Sequence, residues 1–207
     1  MSSIRESLIQ IYYLVGAIIV SPLIILFYLA KNRSVIILDT NRWCEIERIS
    51  YNSDHIKLLY LLFIKKEFRN LFYHRLKTDN LLTEILARFF GNIYRGIPTL
   101  QISVDNCESG LYLSHGLCTL IRAKSIGKNC IISSQVIIGQ KGWNYPTIGN
   151  NVRITVGAKV IGNVTIGDNS IIGANAVVVK NVPENCVVVG VPAYIIKRNG
   201  IRMKELL

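Results

Sequence analysis

From Ile148 onward an aliphatic residue returns at every sixth position: Ile148, Ile154, Val160, Ile166, Ile172 and Val178. The same interval runs upstream through Ile138, Ile132, Ile126 and Leu120, with only "GQKGWNYPT" (139–147) pushing the two runs out of phase by four residues. Four positions past the aliphatics stand Val136, Val152, Ala158, Val164, Ser170 and Ala176, and glycine directly follows several of them, at Gly127, Gly139, Gly149, Gly167 and Gly173. A helix cannot use such a pattern. At 3.6 residues per turn a six-residue period smears round the surface, and so dense a mixture of glycine and asparagine destabilises the helix. Short strands joined by tight turns can use it: the aliphatic enters a narrow interior, the small residue fits a corner, and Gly or Asn supplies the turn dihedrals. Three hexads make a triangular coil of about 18 residues, stacked on the next at about 4.8 Å. The prediction is a β-solenoid in which the hexads from Leu120 to Val182 give a little over three coils and residues 100–119 supply one more. So short a prism leaves flat faces open and gains from lateral association about a symmetry axis, with a trimer as the natural arrangement.

Upstream the chain changes character. From Leu8 to Ala30, "LIQIYYLVGAIIVSPLIILFYLA", no residue is charged over 23 positions, which meets the length needed to cross a hydrocarbon core. Lys31 and Arg33 follow at once, whereas Arg5 and Glu6 cancel, so the charge bias keeps the rest on the cytoplasmic face of the inner membrane. Ser21-Pro22 breaks the run and allows a shallow hairpin in place of a span. A helix buried in an oligomer and a cleaved signal peptide are the other readings of this stretch. Residues 33–98 read as helical and basic, with "IKLLYLLFIKKEFRNLFYHRLK" (56–77) the strongest segment, its apolar side meeting a core or a lipid interface. His55 and His74 lie here and read as surface or packing residues. Gly96, Pro98 and the shift to β-branched residues mark a boundary. The expected division is therefore a hydrophobic membrane-associated segment at 1–32, a helical region at 33–98, the solenoid at 99–199 and a tail at 200–207.

Five widely spaced cysteines with no C-x-x-C pair argue against both a zinc site and a disulfide framework. The net charge of +11 is spread along the chain, without the basic run or aromatic-plus-basic motif of a nucleic-acid reader. No nucleic-acid partner is expected. An anionic membrane surface or a phosphate-bearing small molecule accounts for the charge.

The hexads, together with "SIGKNCIISSQVIIGQ", "PTIGNNV" and the closing "GVPAYIIK" (190–197), resemble the hexapeptide-repeat acyltransferases. Within that family they are most similar to the serine acetyltransferase group and its relatives in surface-polysaccharide gene clusters. The resemblance is strong over residues 100–199 and extends weakly to 67–77. It implies a left-handed parallel β-helix, a homotrimer, and acetyl-CoA bound as co-substrate in the groove between adjacent prisms. The family's catalytic histidine stands in a stretch that matches "GLYLSHG" and so puts the role on His115. A neutral imidazole there takes the proton of an attacking hydroxyl and returns it to the leaving thiolate.

The resemblance also shows departures. An acid one coil upstream orients the histidine in serine acetyltransferases; the matching position falls near Gln101, with Asp105 or Glu108 as charged substitutes. The Asp that precedes the histidine and helps hold serine is Ser114 here, and the Arg-His pair of the projecting loop corresponds to Asn144 and Tyr145. With three groups suited to a zwitterion replaced, the sequence reading prefers a sugar hydroxyl, in a surface-polysaccharide precursor, with Trp143 and Tyr145 offering stacking surfaces and Asn144 a hydrogen bond. Serine O-acetylation for cysteine biosynthesis is the alternative, and a non-catalytic membrane-tethered scaffold is the alternative of another class. For acetyl-CoA the family's largely main-chain contacts match Gln140, Val156 and Ala174, while Lys180, Lys197 and Arg198 are phosphate candidates on charge alone. No metal is expected. The carbonic anhydrases that share the solenoid need three histidines, and residues 100–207 hold only His115.

Overall fold

The computed structural model describes residues 2–207, with side chains from residue 11, and divides into two compact units, one up to Gly96 and one over Ile97–Leu207. The first unit contains α1 (Ser2–Val20), α2 (Pro22–Leu29), α3 (Arg33–Glu47), α4 (Asp54–Ile64), α5 (Lys66–Lys77) and α6 (Leu81–Ile93). Its core is built from Trp43, Leu58, Leu61, Phe68, Phe72 and Leu76, all buried, with Trp43 edge-on to Phe68 at 5.3 Å between ring centroids. Arg75 reaches into this core to meet Asp39 at 2.8 Å, so both buried charges are paired.

The continuous helix predicted over 56–77 is two helices. Lys65 leaves the helical region (φ −101°, ψ 100°) between α4 and α5. The last carbonyls of α4 have no helical partner beyond such a break. Arg69 supplies one: its guanidinium donates to the carbonyls of Leu62, Phe63 and, at 2.9 Å, Arg95. The apolar run at the start of the chain is likewise broken. Among the described residues no single helix is long and apolar enough to cross a membrane; Ile11–Val20 and Pro22–Leu29 meet that test only as a pair bent by 51°.

The second unit runs β1 (Leu100–Cys107), β2 (Tyr112–Ser114), β3 (Thr119–Ile126), β4 (Ile131–Ser133), β5 (Ile137–Gly139), β6 (Thr147–Ile148), β7 (Arg153–Ile154), β8 (Lys159–Ile161), β9 (Thr165–Ile166), β10 (Ile171–Ile172), β11 (Val177–Val178), β12 (Cys186–Val189), β13 (Tyr194–Arg198) and β14 (Ile201–Leu206). It is a β-solenoid of about five turns. Three parallel ladders form its faces. The first stacks the starts of β1 and β3 on β5, β8 and β11; the second stacks the ends of β1 and β3 on β6 and β9; the third stacks β2, β4, β7, β10 and β12. Ile121, Ile138, Val160 and Val178 fill the interior behind the first face, and Ile132, Ile154, Ile172 and Val188 behind the third.

The inward position on β3 is Ile121, not the Leu120 that the six-residue count predicts: Ile121 pairs with Ile138 and is fully buried, while Leu120 pairs with the outward Ile137. The reason is local. β1 and β3 pass from the first face to the second as single eight-residue strands, without the corner turn that keeps the later coils to a six-residue step.

One corner carries a ladder of left-handed residues. Gly110, Asn129, Asn151, Asn169 and Asn185 all have φ between 54° and 85°, the region that asparagine and glycine tolerate. Asn151 Nδ2 donates to Asn169 Oδ1 at 3.1 Å, and Asn169 Nδ2 to Asn185 Oδ1 at 3.0 Å. At the end of the prism β12, β13 and β14 turn antiparallel. Residues 200–207, set apart in the sequence as a tail, thus carry the last strand.

Candidate active site

The corner between the third and first faces is where the solenoid departs from its own rule. In the upper coils it is short. Successive backbone bonds, Gln135 N–H to Leu117 O (2.8 Å), Gly157 N–H to Ser134 O (3.1 Å) and Asn175 N–H to Val156 O (3.0 Å), stack Leu117, Ser134, Val156 and Ala174 in one exposed or half-exposed column. Beside it runs a column of left-handed residues, Cys118, Gln135, Gly157 and Asn175. Ser114 pairs with Ser133 and Leu120 with Ile137, so the lowest corner holds 115–119 where the next holds only 134–136. The extra pair is His115 and Gly116. Both have positive φ, 63° and 47°.

A left-handed histidine costs on the order of 1 kcal/mol and persists where the surroundings enforce it. Packing does not call for it. His115 is exposed, and among the described residues no group is hydrogen-bonded to its ring, whereas the other non-glycine residues of positive φ in this unit are Cys118, Gln135 and asparagines. A spectator corner takes Asn or Gly; this one presents an imidazole on a backbone bulge at the foot of the column Leu117, Ser134, Val156 and Ala174.

The other expected residues sort around the first face. Val156 and Ala174 stand in the column above His115. Gln140 and Lys180 lie at the opposite edge of the face, just past β5 and β11. Ser114 is half-buried at the end of β2, directly before the bulge. Gln101 is exposed on β1 opposite Leu120 and makes no hydrogen bond to His115. Asp105 is also exposed on β1, and Glu108 sits 3.7 Å from Lys128. The three phosphate candidates do not form one cluster. Lys180 donates to the carbonyl of Leu207, Lys197 pairs with Val187 on the third face, and Arg198 is held by Glu205 of β14 at 2.9 Å.

Trp143, Asn144 and Tyr145 belong to a projecting turn between β5 and β6, closed by the Lys141–Asn144 bridge around Gly142 at φ 66°. Trp143 is 90% exposed. Leu117, Ser134 and Gly116 are residues of this corner that the sequence reading did not single out. Their signal was the interval from the inward Leu113 to the inward Ile121, two residues longer than that between their partners Ile132 and Ile138.

Competing chemistry is sparse. Among the described residues no cluster of three or more His, Cys, Asp or Glu could hold a metal, and the five cysteines are free. Burial pushes the Cys130 thiol up to about 12, which keeps it a packing residue. What remains is an exposed imidazole beside that column, an arrangement suited to taking a proton from a bound hydroxyl.

Repeat, prism and corner together define a hexapeptide solenoid, and comparison with known proteins agrees. Residues 145–180 match the family model described as bacterial transferase hexapeptide (six repeats). Over the stretches that follow, the chain is similar to serine acetyltransferases that carry such repeats. It is 42% identical over 128 residues to a serine acetyltransferase of Synechococcus elongatus, covering 59% of this chain and 52% of that one. It is also 42% identical over 133 residues to a serine acetyltransferase of Staphylococcus aureus strain Mu50, covering 61% and 62%. The chain thus spans between half and two thirds of the length of these curated relatives. Among solved structures it superposes on serine acetyltransferase from Brucella abortus strain S19 with a TM-score of 0.62 at 28% identity, over 84% of this chain and 70% of that one. The same enzyme in complex with coenzyme A superposes with a TM-score of 0.60 at 29% identity, over 81% and 68%.

Proposed function

We propose that this protein is an acetyl-CoA-dependent O-acetyltransferase with L-serine as acceptor and His115 as general base. The observation that carries the reading is the His115–Gly116 bulge, which holds an imidazole in the left-handed region at the foot of the column Leu117, Ser134, Val156 and Ala174. Above Leu117 the column carries nothing larger than valine, which suits a long, narrow co-substrate met largely by main-chain atoms. Coenzyme A in the related Brucella enzyme supports that occupant. The names of the relatives favour serine over the sugar hydroxyl that the sequence reading preferred.

The neutral ring of His115 accepts the acceptor's hydroxyl proton while the oxygen attacks the thioester carbonyl. The C–O bond forms, the C–S bond breaks, and the imidazolium passes its proton to the departing sulfur, leaving an O-acetyl ester and a free thiol. Each atom is accounted for without a metal. Backbone N–H groups of the corner are the candidates for holding the oxyanion.

Within one chain the Trp143 turn and His115 stand at opposite edges of the first face, so the turn does not close over its own histidine. Association as a trimer sets the turn of one prism against the His115 corner of the next, and on this reading the complete site is shared.

A second acceptor has one specific observation behind it. Trp143, the most exposed large apolar side chain described, is suited to stacking on a sugar ring. Thiol release from acetyl-CoA, measured with L-serine and with a panel of monosaccharides and nucleotide sugars, decides between them. The expected result is release at least about tenfold faster with serine, which corresponds to roughly 1.4 kcal/mol of transition-state preference. Faster release with a sugar transfers the assignment to the sugar reading, and background release with every acceptor supports a scaffold.

A further inference from the structure

α6 is amphipathic the wrong way round for a soluble unit. The residues it buries are small, Thr83 and Ala87, while Leu81, Ile85, Phe89 and Ile93, four apart along one side, face out. Ile85 is 55% and Phe89 61% exposed. α2 packs against α6 and is apolar on both sides: it buries Leu23, Leu26 and Phe27 and leaves Ile25 and Leu29 exposed. Asp79 joins the two ends, accepting the backbone N–H groups of Lys31 and Asn32 at 3.0 and 3.1 Å immediately before α6 begins. Exposed apolar side chains thus lie on α1, on α2 and on the α6 that packs against it, more than the scattered exposure of an ordinary soluble surface, with the Glu84–Arg88 pair beside the α6 stripe.

The charges around that face are one-sided. Of the carboxylates between residues 11 and 96, Asp39, Glu45, Glu47, Asp54 and Glu84 are each in an ion pair within the unit. Asp79 is occupied by backbone donors, which leaves only Glu67, in the first turn of α5. Lys31, Arg33 and Lys77, grouped by sequence and by the Asp79 contact at the junction of α2 and α6, are exposed and have no acidic partner among the described residues. A second copy of the same face would set this cationic rim against another with almost no free acid to answer it. An anionic lipid surface offers both things the face lacks: hydrocarbon for the aliphatic stripe and phosphate for the rim.

We propose that the helical unit docks in the plane of an anionic membrane, with Ile85 and Phe89 of α6 and the exposed side of α1 and α2 in the acyl boundary and Lys31, Arg33 and Lys77 on the headgroups. Ile11–Val20 and Pro22–Leu29 reach the length of a span only when taken together across a 51° bend, and the apolar stripe of α6 lies outside that pair, so the docking is read as in-plane. The proposal stands independently of the acetyl transfer.

The test is sedimentation of the full chain with phosphatidylcholine vesicles, with and without phosphatidylglycerol. Binding is expected to the anionic vesicles, to weaken as salt rises, and to fall at least about tenfold in Ile85→Glu/Phe89→Glu and in Lys31→Glu/Arg33→Glu, with thiol release unchanged in both. These four positions are exposed, and the second variant leaves the apolar face intact. Equal binding to neutral and anionic vesicles would remove the charge matching on which the choice of lipid rests. No binding to either, with Ile85→Glu/Phe89→Glu halving the size of the particle in analytical ultracentrifugation, would overturn the proposal in favour of a second copy.

Discussion

Replacing Asn169 tests the physics of the prism most cleanly, because its backbone and its side chain do separable work. At φ 59° it sits in the left-handed region, and its amide accepts from Asn151 and donates to Asn185 at 3.1 and 3.0 Å. Alanine at this φ meets the Cβ–carbonyl clash, worth roughly 1–2 kcal/mol, which asparagine partly escapes. Loss of two solvent-exposed amide bonds adds about 0.5 kcal/mol each. Asn169→Ala is expected to destabilise by about 2 kcal/mol. Asn169→Gly loses the same bonds but is free of the clash, and should lose about half as much. In a unit the length of Ile97–Leu207, 1 kcal/mol moves the melting temperature by roughly 4 °C, so scanning calorimetry at fixed protein concentration should show a drop of about 8 °C for alanine and about 4 °C for glycine. Glycine more damaging than alanine would refute the reasoning, since it would mean that the corner does not impose its dihedral on residue 169.

Two further expectations concern the two units separately. Burial, reinforced by Arg75 and Lys77, depresses His74 to about 4, so it is neutral in the fold while the unfolded chain protonates near 6.5. As pH falls from 6.5 toward 4 the unfolded state binds the extra proton and stability is lost, by up to about 3 kcal/mol; urea midpoints in His74→Gln should show a correspondingly shallower acid slope, and an unchanged slope would show that His74 is not the group responsible. In the solenoid, a Cβ at residue 149 would fall on the Asp168 carboxylate and lie 3.0 Å from Asp168 N and Ile166 O. Asp168 already holds Asn150 through N–H and Nδ2 at 2.8 and 3.0 Å, so Gly149→Ala is expected to cost about 2 kcal/mol, read as a melting temperature lower by several degrees; an unshifted transition would mean that the coils can part locally.

The solenoid was legible because its period is enforced at every coil: an interior too narrow for anything but one aliphatic per face leaves a six-residue trace from Ile126 to Val178. The trace failed at Leu120, where two long strands replace corner turns, and a pattern of aliphatics cannot say which of two neighbours, Leu120 or Ile121, points inward. The break at Lys65 was invisible for a different reason. It depends on Arg69 reaching back to α4 and across to Arg95, a tertiary contact that leaves no period. His115, Val156 and Ala174 were singled out in the sequence by resemblance alone; the left-handed bulge and the column that stands above it exist only in the folded corner. For the phosphate candidates, charge alone does not show that Arg198 is paired with Glu205 of a strand read as a tail.

The central claim is that the imidazole on the His115 bulge does the chemistry. Steady-state thiol release from saturating acetyl-CoA and L-serine by His115→Ala, alongside its sedimentation, tests that directly. The account predicts a fall in turnover of at least about a hundredfold with the particle size and melting temperature of the parent; turnover within about threefold of the parent's would contradict it.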